Sequence, residues 1–228
     1  MERKNEEGLT EKEFLAQYRP GDYERPSLTV DVLIFALDEE EENAEILLIK
    51  RKNHPCIDQW AIPGGFVNLD ESLEEAAARE LLEETGLHGI CLEQLYTWGN
   101  VKRDPRTRVI SVSFVALISK DELILEAGDD ASKACWFEVN KKKISDLEHG
   151  STYALTIENE EEHIFMSYRV TETYERQGYM WKKDSDIELL PVIDMRDQDK
   201  LAFDHEEILN AAMDRLEDLE KEYREQTY

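Results

Sequence analysis

The sequence predicts an α/β or α+β sandwich, built on a mixed sheet with few long helices. Short stretches rich in β-branched and aromatic residues recur along the chain, and polar or charged turns separate them. Only the centre and the end of the chain carry long amphipathic helical patterns. With 228 residues, the chain is long enough for one sizeable core and an insertion.

The first elements are a short helix and two strands. Thr10 and Glu13 form a capping box, which predicts a helix that stops at the sequence RPGDYERP. Residues 28–37 and 45–51 are rich in Val, Ile and Leu, and they flank the acidic stretch EEEEN. They are therefore predicted to pair as a hairpin. The sequence NHPCIDQWAIPGGF then predicts a loop.

A second capping box, formed by Ser72 and Glu75, predicts the start of the central helix, and Gly86 predicts its end. The predicted helix covers residues 73–85. Its apolar positions recur at i, i+4 and i+8, so the buried face lies close in angle to Glu84.

The second half begins with strands at EQLYTWGNV, at residues 107–119 and through Trp136 and Phe137. From about Lys141 the composition changes, and TYALTI and HIFMSYRVTETYE flank the acidic turn ENEEE, which predicts an added hairpin. DIELLPVIDM is extended, but Pro191 restricts it to a sheet edge or a break. The last element is an amphipathic helix with apolar residues spaced 3-4-3-4.

These elements define four predicted segments. They are an N-terminal helix and arm (1–26), a core (27–144), a β-rich insertion (145–198) and a C-terminal helix that completes the core (199–228).

The charge balance limits the classes of partner. The formal net charge is −26, whereas nucleic acids and anionic membranes are bound through basic surfaces. No nucleic-acid or membrane partner is therefore expected. The N-terminal sequence MERKNEEGLT has no apolar signal region, and the three cysteines suggest neither a disulfide framework nor a zinc site, so a cytoplasmic location is expected.

Residues 64–87, GGFVNLDESLEEAAARELLEETGL, concentrate acids on one short helix. Like charges at helical spacing repel by roughly 0.2–0.5 kcal/mol per pair. The acids therefore form either a plain solvated face or a site for a cation. Both readings stay open at this point, and the acids form a defined spacing with glycine and arginine at Gly65, Glu71, Arg79, Glu80, Leu81, Glu83, Glu84, Gly86 and Leu87.

This spacing resembles the box of the Nudix hydrolases, and the framework is most similar to ADP-ribose pyrophosphatase-like members. The segments ERPSLTVDVLIF, WAIPGGFV, RDPRTRVISVSFVAL, AGDDASKACWF and LAFDHEEIL carry the similarity. It covers about 27–140 and 201–217, and does not cover about 145–198. The resemblance implies a Nudix-type α/β/α sandwich with a mixed sheet, together with the cleavage by water of a phosphoanhydride in a nucleoside diphosphate linked to a group X.

The resemblance also implies roles within the box. Glu80 and Glu84, with Glu83 as a third ligand, are expected to bind Mg²⁺ or Mn²⁺, since carboxylates one helical turn apart can share a hard cation. The Gly64 carbonyl is expected to face the same cation, and Arg79 to orient the carboxylates. Bound metal would neutralise the diphosphate and acidify water.

Outside the box, a further acid is expected to act as a base or an extra metal ligand. Glu126, Asp129 and Asp130 are the candidates in LEAGDDAS, and the ADP-ribose-like pattern favours the two aspartates. The alternative reading of these residues is a turn or a cap. Asp130 is the predicted catalytic residue among them.

Five residues are candidates for substrate binding. Arg106 and Arg108 can bind a phosphate as a fork, with Arg103 nearby; the alternative is a solvated hairpin turn. The final strand residue Arg51 is expected to face the site by alternation. Trp60 and Phe66 can stack on a base, although core packing is the more frequent fate of such aromatics.

The sequence favours an enzyme that hydrolyses ADP-ribose, or a similar nucleoside diphosphate sugar, to AMP and ribose 5-phosphate. A ligand sensor that controls transcription is the first alternative; the intact box, and the twelve residues that follow LAFDHEEILNAAMDRL, argue against it. A hydrolase of oxidised nucleotides is the second. For 145–198, a homodimer contact is favoured over a lid or a surface elaboration without a role.

Overall fold

A computed structural model describes residues 2–19, 21, 24–37, 44–119, 134–177, 179–192, 196 and 199–227. The helices are α1 (Glu11–Gln17), α2 (Leu73–Thr85) and α3 (His205–Thr227). The strands are β1 (Ser27–Leu37), β2 (Ala44–Lys50), β3 (Trp60–Ala61), β4 (Gly64–Phe66), β5 (Glu93–Trp98), β6 (Val109–Ser119), β7 (Ala134–Leu147), β8 (Gly150–Asn159), β9 (Ile164–Gln177) and β10 (Met180–Leu190).

The described strands form one mixed sheet in the order β10-β9-β8-β7-β2-β1-β6-β5. β1 and β6 pair in parallel along their whole length, while the other neighbours in this order are antiparallel. β1 is buried on both faces because its side chains alternate between two cores.

The two cores place a helix on each face of the sheet. Ala76, Ala77 and Leu81 of α2 pack on one face, and residues of α3 that include Leu209 and Ala212 pack on the other. The predicted α/β/α sandwich is therefore confirmed. Both predicted capping boxes are present, and α2 has the predicted bounds, with Gly86 in the left-handed conformation at its end.

The predicted pairing of β1 with β2 is confirmed, although the acidic turn between them lies outside the described residues. The two strands separate toward the N-terminal end of β1. There, residues 60–66 occupy the gap, because β3 pairs with β2 and β4 pairs with β1. This gap positions the candidate site.

The predicted insertion is a continuation of the sheet. β7 begins beside β2 and extends to Leu147, so the predicted boundary at 144/145 falls inside a strand. β8, β9 and β10, which we call the meander, follow as antiparallel neighbours. β10 is the edge strand and ends immediately before Pro191, as the sequence indicated.

Among the described residues, no helix is both long enough and apolar enough to span a membrane.

Candidate active site

Two glycines bring the residue 60–66 segment against the acidic helix. The Gly64 amide donates a 2.8 Å hydrogen bond to the Glu84 carboxylate. A Cβ on Gly64 would lie 2.1 Å from a carbonyl oxygen of β1, and one on Gly65 would lie 2.4 Å from a carboxylate oxygen of Glu80. Only glycine therefore permits this close approach of β4 to both neighbours.

Arg79 lies at the centre of the box. Its guanidinium donates two hydrogen bonds to Glu71, at 2.7 and 2.9 Å, and one to Glu80 at 2.8 Å. Further bonds reach Glu83 at 3.2 Å and the carbonyl of Phe66 at 3.1 Å. Hydrogen bonds from Arg79 and from a backbone amide lower the pKa of Glu71 to about 2. Arg79 thus connects the loop to α2 and has the geometry expected of an orienting residue.

Burial makes the ionised form of the two principal predicted metal ligands, Glu80 and Glu84, less favourable. Burial raises the pKa of Glu84 to about 7, although the Gly64 amide favours the ionised form. Burial also raises the pKa of Glu80, against the opposing effect of Arg79. These are hard oxygen donors one helical turn apart, so their chemistry and their incompletely compensated charge fit a divalent cation such as Mg²⁺.

The described side chains do not by themselves form a complete ligand shell. Within the described ranges, no group of three or more His, Cys, Asp or Glu side chains is gathered as a metal site. Glu83, the predicted third ligand, is 58% exposed and contacts Arg79. Its role, and that of the Gly64 carbonyl, stay predictions.

A cleft of about 280 Å³ adjoins the two glycines. Arg51, predicted to face the site, lines it, as do Phe66 and Arg106. The Arg106 guanidinium lies 5.3 Å from the Phe66 ring centroid and 5.8 Å from that of Phe203, while Arg51 lies 4.8 Å from Phe203. Asp104 accepts two side-chain bonds from Arg106. The cleft therefore combines two guanidinium groups, one of them paired with a carboxylate, with planar apolar faces.

Three sequence-based assignments differ from the structure or fall outside it. Trp60 is wrong as a base-stacking residue: it is fully buried and packs edge-on against Phe137, with centroids 4.7 Å apart. Arg108 is directed to the carbonyls of Asn100 and Val109, and it does not line the cleft with Arg106. The predicted acids Glu126, Asp129 and Asp130 lie outside the described residues.

A buried polar cluster at the cleft was missed. Asp31 accepts a 2.5 Å bond from the Ser111 hydroxyl, and it lies 3.6 Å from Arg103 and 3.7 Å from His205 Nε2. The Ile62 amide donates to His205 Nδ1 at 2.9 Å, so a neutral ring carries its hydrogen on Nε2. Burial raises the pKa of Asp31 and lowers that of His205 to about 3. In the sequence, the sign of this cluster was Asp31, an acid inside an otherwise apolar strand.

Fold and box together define a Nudix domain, and the comparison with known families agrees. The NUDIX domain family model matches residues 27–155, more than half of the chain, so this protein belongs to the Nudix family. The match continues past the predicted core boundary into β8.

Two relatives give the family assignment more detail. The chain is 42% identical to the ADP-ribose pyrophosphatase of Methanocaldococcus jannaschii over 132 residues. This aligned region covers 58% of this chain and 72% of that protein. The chain is 47% identical to the ADPR responsive transcriptional repressor NtrR of Acinetobacter baylyi over 112 residues. This second aligned region covers 48% of this chain and 44% of the repressor. The match thus spans less than half of the repressor's length.

The crystal structure of a MutT/nudix family protein from Enterococcus faecalis is similar over most of the chain. The TM-score is 0.65 at 34% sequence identity, and the match covers 92% of this chain and 70% of that one. The Nudix fold is therefore shared beyond the box and its immediate framework.

Proposed function

We propose that this protein hydrolyses a phosphoanhydride in a nucleoside diphosphate linked to a group X, and that it converts ADP-ribose to AMP and ribose 5-phosphate. The observation that carries this proposal is the position of Glu80 and Glu84, two partly buried carboxylates, beside a cleft that presents guanidinium and aromatic groups. The similarity to an ADP-ribose pyrophosphatase supports the choice of substrate.

Glu80 and Glu84, with Glu83 and the Gly64 carbonyl, would hold Mg²⁺ or Mn²⁺. When bound, such an ion neutralises the diphosphate, stabilises the charge of the leaving group and lowers the pKa of water. Arg79 keeps the carboxylates oriented through its bonds to Glu80 and Glu83.

The rest of the cleft would hold the substrate. Arg51 and Arg106 supply positive charge toward the diphosphate. Phe66 and Phe203 offer ring faces to a base. An acid from residues 126–130, with Asp130 as the predicted residue, would accept a proton from the attacking water; this assignment rests on the family pattern in the sequence.

A substrate panel tests the proposal. It contains ADP-ribose, other nucleoside diphosphate sugars, NADH, diadenosine polyphosphates and oxidised dGTP, each with Mg²⁺ or Mn²⁺ and with chromatographic identification of the products. We expect the highest kcat/KM for ADP-ribose, with AMP and ribose 5-phosphate formed in equal amounts. Highest activity on oxidised dGTP would instead favour the alternative function, the hydrolysis of oxidised nucleotides.

The similarity to a transcriptional repressor supports a second candidate, a regulator that binds ADP-ribose without turnover. The net charge of −26 opposes DNA binding by this chain, because phosphate contacts require a basic surface. A mobility-shift assay at low salt separates the two candidates. DNA binding that ADP-ribose alters, together with no turnover of any substrate, would favour the regulator.

We also propose a cytoplasmic homodimer, with the meander as the contact between subunits. The support is the sequence: its three cysteines show no disulfide pattern, which favours a reducing compartment, and residues 145–198 fall outside the segments that resemble ADP-ribose pyrophosphatases. Light scattering on the full chain tests the dimer. A monomer at all concentrations would remove this part of the proposal.

A further inference from the structure

A second cavity, of about 540 Å³, adjoins the cleft and shares Arg103 and Phe203 with it. The meander supplies part of its wall through Tyr168 on β9 and through Ile187 and Leu189 on β10. We propose that this cavity binds the group X of the substrate, a hydroxyl-rich sugar, and that the meander therefore selects X. The inference rests on the proposed function and names the part of the substrate that each cavity holds.

The two volumes support a divided site. Pockets that enclose ligands of drug size are about 300–1,000 Å³. The cleft, at about 280 Å³, lies below that range and is suited to half of a nucleoside diphosphate sugar. The adjoining cavity supplies the missing volume on the other side of Arg103 and Phe203.

The residues that line the two cavities indicate which half of the substrate each cavity binds. The cleft presents ring and guanidinium faces, which suit a planar base. The larger cavity presents hydrogen-bond acceptors, which suit sugar hydroxyls: the side chains of Gln59, Asn100, Glu206 and Glu207.

The meander wall is held in place by hydrogen bonds to the core. The Leu201 amide donates to the buried Tyr168 hydroxyl at 2.9 Å. This bond uses the hydroxyl oxygen as an acceptor, so the hydroxyl hydrogen can be donated to a ligand. The adjacent Ala202 amide donates to the Trp60 carbonyl at 2.8 Å. Trp60 does not stack on a base, but its carbonyl thus helps to position residues 201–203, which lie between the two cavities.

The test compares two ligands that differ in X. One is α,β-methylene ADP, which lacks X, and the other is α,β-methylene ADP-ribose; in both, CH₂ replaces the bridging oxygen so that the linkage between the phosphorus atoms is not hydrolysed. Calorimetry with Mg²⁺ present measures Kd for both on the full chain. Leu189→Trp, which fills the cavity, is compared with Leu147→Trp, a control at the exposed far end of β7. Glu206→Ala removes one acceptor and adds no bulk.

We expect Leu189→Trp to raise the Kd of α,β-methylene ADP-ribose, the analogue that carries X, at least tenfold and that of α,β-methylene ADP less than twofold. Glu206→Ala should raise the Kd of the analogue about threefold, and Leu147→Trp should change neither. Equal weakening of both ligands, or unchanged binding of the analogue in both cavity variants, would overturn the assignment. Turnover of ADP-ribose by the wild-type chain is measured separately, so selective weakening without turnover would reject hydrolysis and retain the cavity.

Discussion

Two regions of this protein bury carboxylates in opposite electrostatic surroundings. At the site, burial raises the pKa of Glu84 to about 7, and the hydrogen bond from the Gly64 amide and the charge of Arg51 oppose this effect only in part. Under the meander, burial acts in the same direction on Glu172, which is 2% exposed, but hydrogen bonds from Lys141 and Lys183 lower its pKa.

The lysine-paired carboxylate has a structural role. Lys141 on β7 and Lys183 on β10 contact both Glu172 on β9 and Asp214 on α3. The cluster therefore connects the meander to the C-terminal helix. A buried acid with its own cations stabilises the fold only while all partners remain. Glu84 differs because its pKa stays raised despite the nearby Arg51, so its ionised form is further stabilised by a cation from solution, and this contrast favours a functional role for the site.

The largest expected effect is on catalysis at Glu84. Glu84→Gln keeps the shape and the acceptor for the Gly64 amide but removes the charge needed for a cation. We expect kcat on ADP-ribose to fall by about three orders of magnitude, or about 4 kcal/mol of transition-state stabilisation. The matched control is Glu74→Gln on the exposed face of the same helix, which should retain full activity. Unchanged turnover in Glu84→Gln would reject the metal assignment.

Glu172→Gln should act on stability instead. Removing one partner of a buried ion pair leaves charge uncompensated, so we expect a loss of about 3 kcal/mol in the free energy of unfolding, measured by urea denaturation. The meander control is Glu188→Gln, which removes the exposed partner of Arg169 and should change stability by less than about 0.5 kcal/mol. Equal stability of the two variants would contradict a structural role for the cluster.

The two acids should also give opposite pH dependence in metal-free buffer. The folded pKa of Glu84 lies above its ordinary value of 4.5, so the folded state binds more protons and stability falls as pH rises from about 4.5 to 7. Glu84→Gln should therefore be more stable than wild type by about 3 kcal/mol at pH 8 and equal to it at pH 4.

For Glu172 the sign is reversed. Its pKa is lowered on folding, so its contribution is present above the ordinary pKa and is lost as pH falls through the folded value. Thermal denaturation of wild type and both variants between pH 3 and pH 8 measures these differences. Parallel curves for the two variants would show that the surroundings of the acids do not differ as described.

A smaller effect is expected at Gly65. A methyl group there would meet the Glu80 carboxylate and displace it, so Gly65→Ala should lower kcat about tenfold, equivalent to about 1.4 kcal/mol. Gly21 has open space around its Cβ position, and Gly21→Ala is the control. Full activity in Gly65→Ala would mean that the placement of Glu80 is not critical.

The predictable part of the molecule is the part encoded locally. The bounds of α2, its caps and the grouping of Arg79 with the acids follow from neighbours in sequence, because helical spacing fixes their relative directions. The contact of His205 with Ile62 joins residues 143 positions apart, and no local periodicity encodes it. Trp60 was misassigned because its exposure depends on packing against the distant Phe137.

The meander was predicted only in part for the same reason. Alternating apolar residues indicated strands, and the β8–β9 hairpin was found. Period-2 patterns do not reveal which existing strand a new one joins, so the continuation of the core sheet through β7 could not be read from the sequence.

The most direct test of the central claim, that Glu84 belongs to a cation site, is Mn²⁺ binding measured by electron paramagnetic resonance at pH 7.5. Wild type and Glu74→Gln should bind Mn²⁺ with the same affinity, and Glu84→Gln should bind it at least tenfold more weakly. Equal Mn²⁺ affinity in all three proteins, or no binding to wild type, would contradict the account.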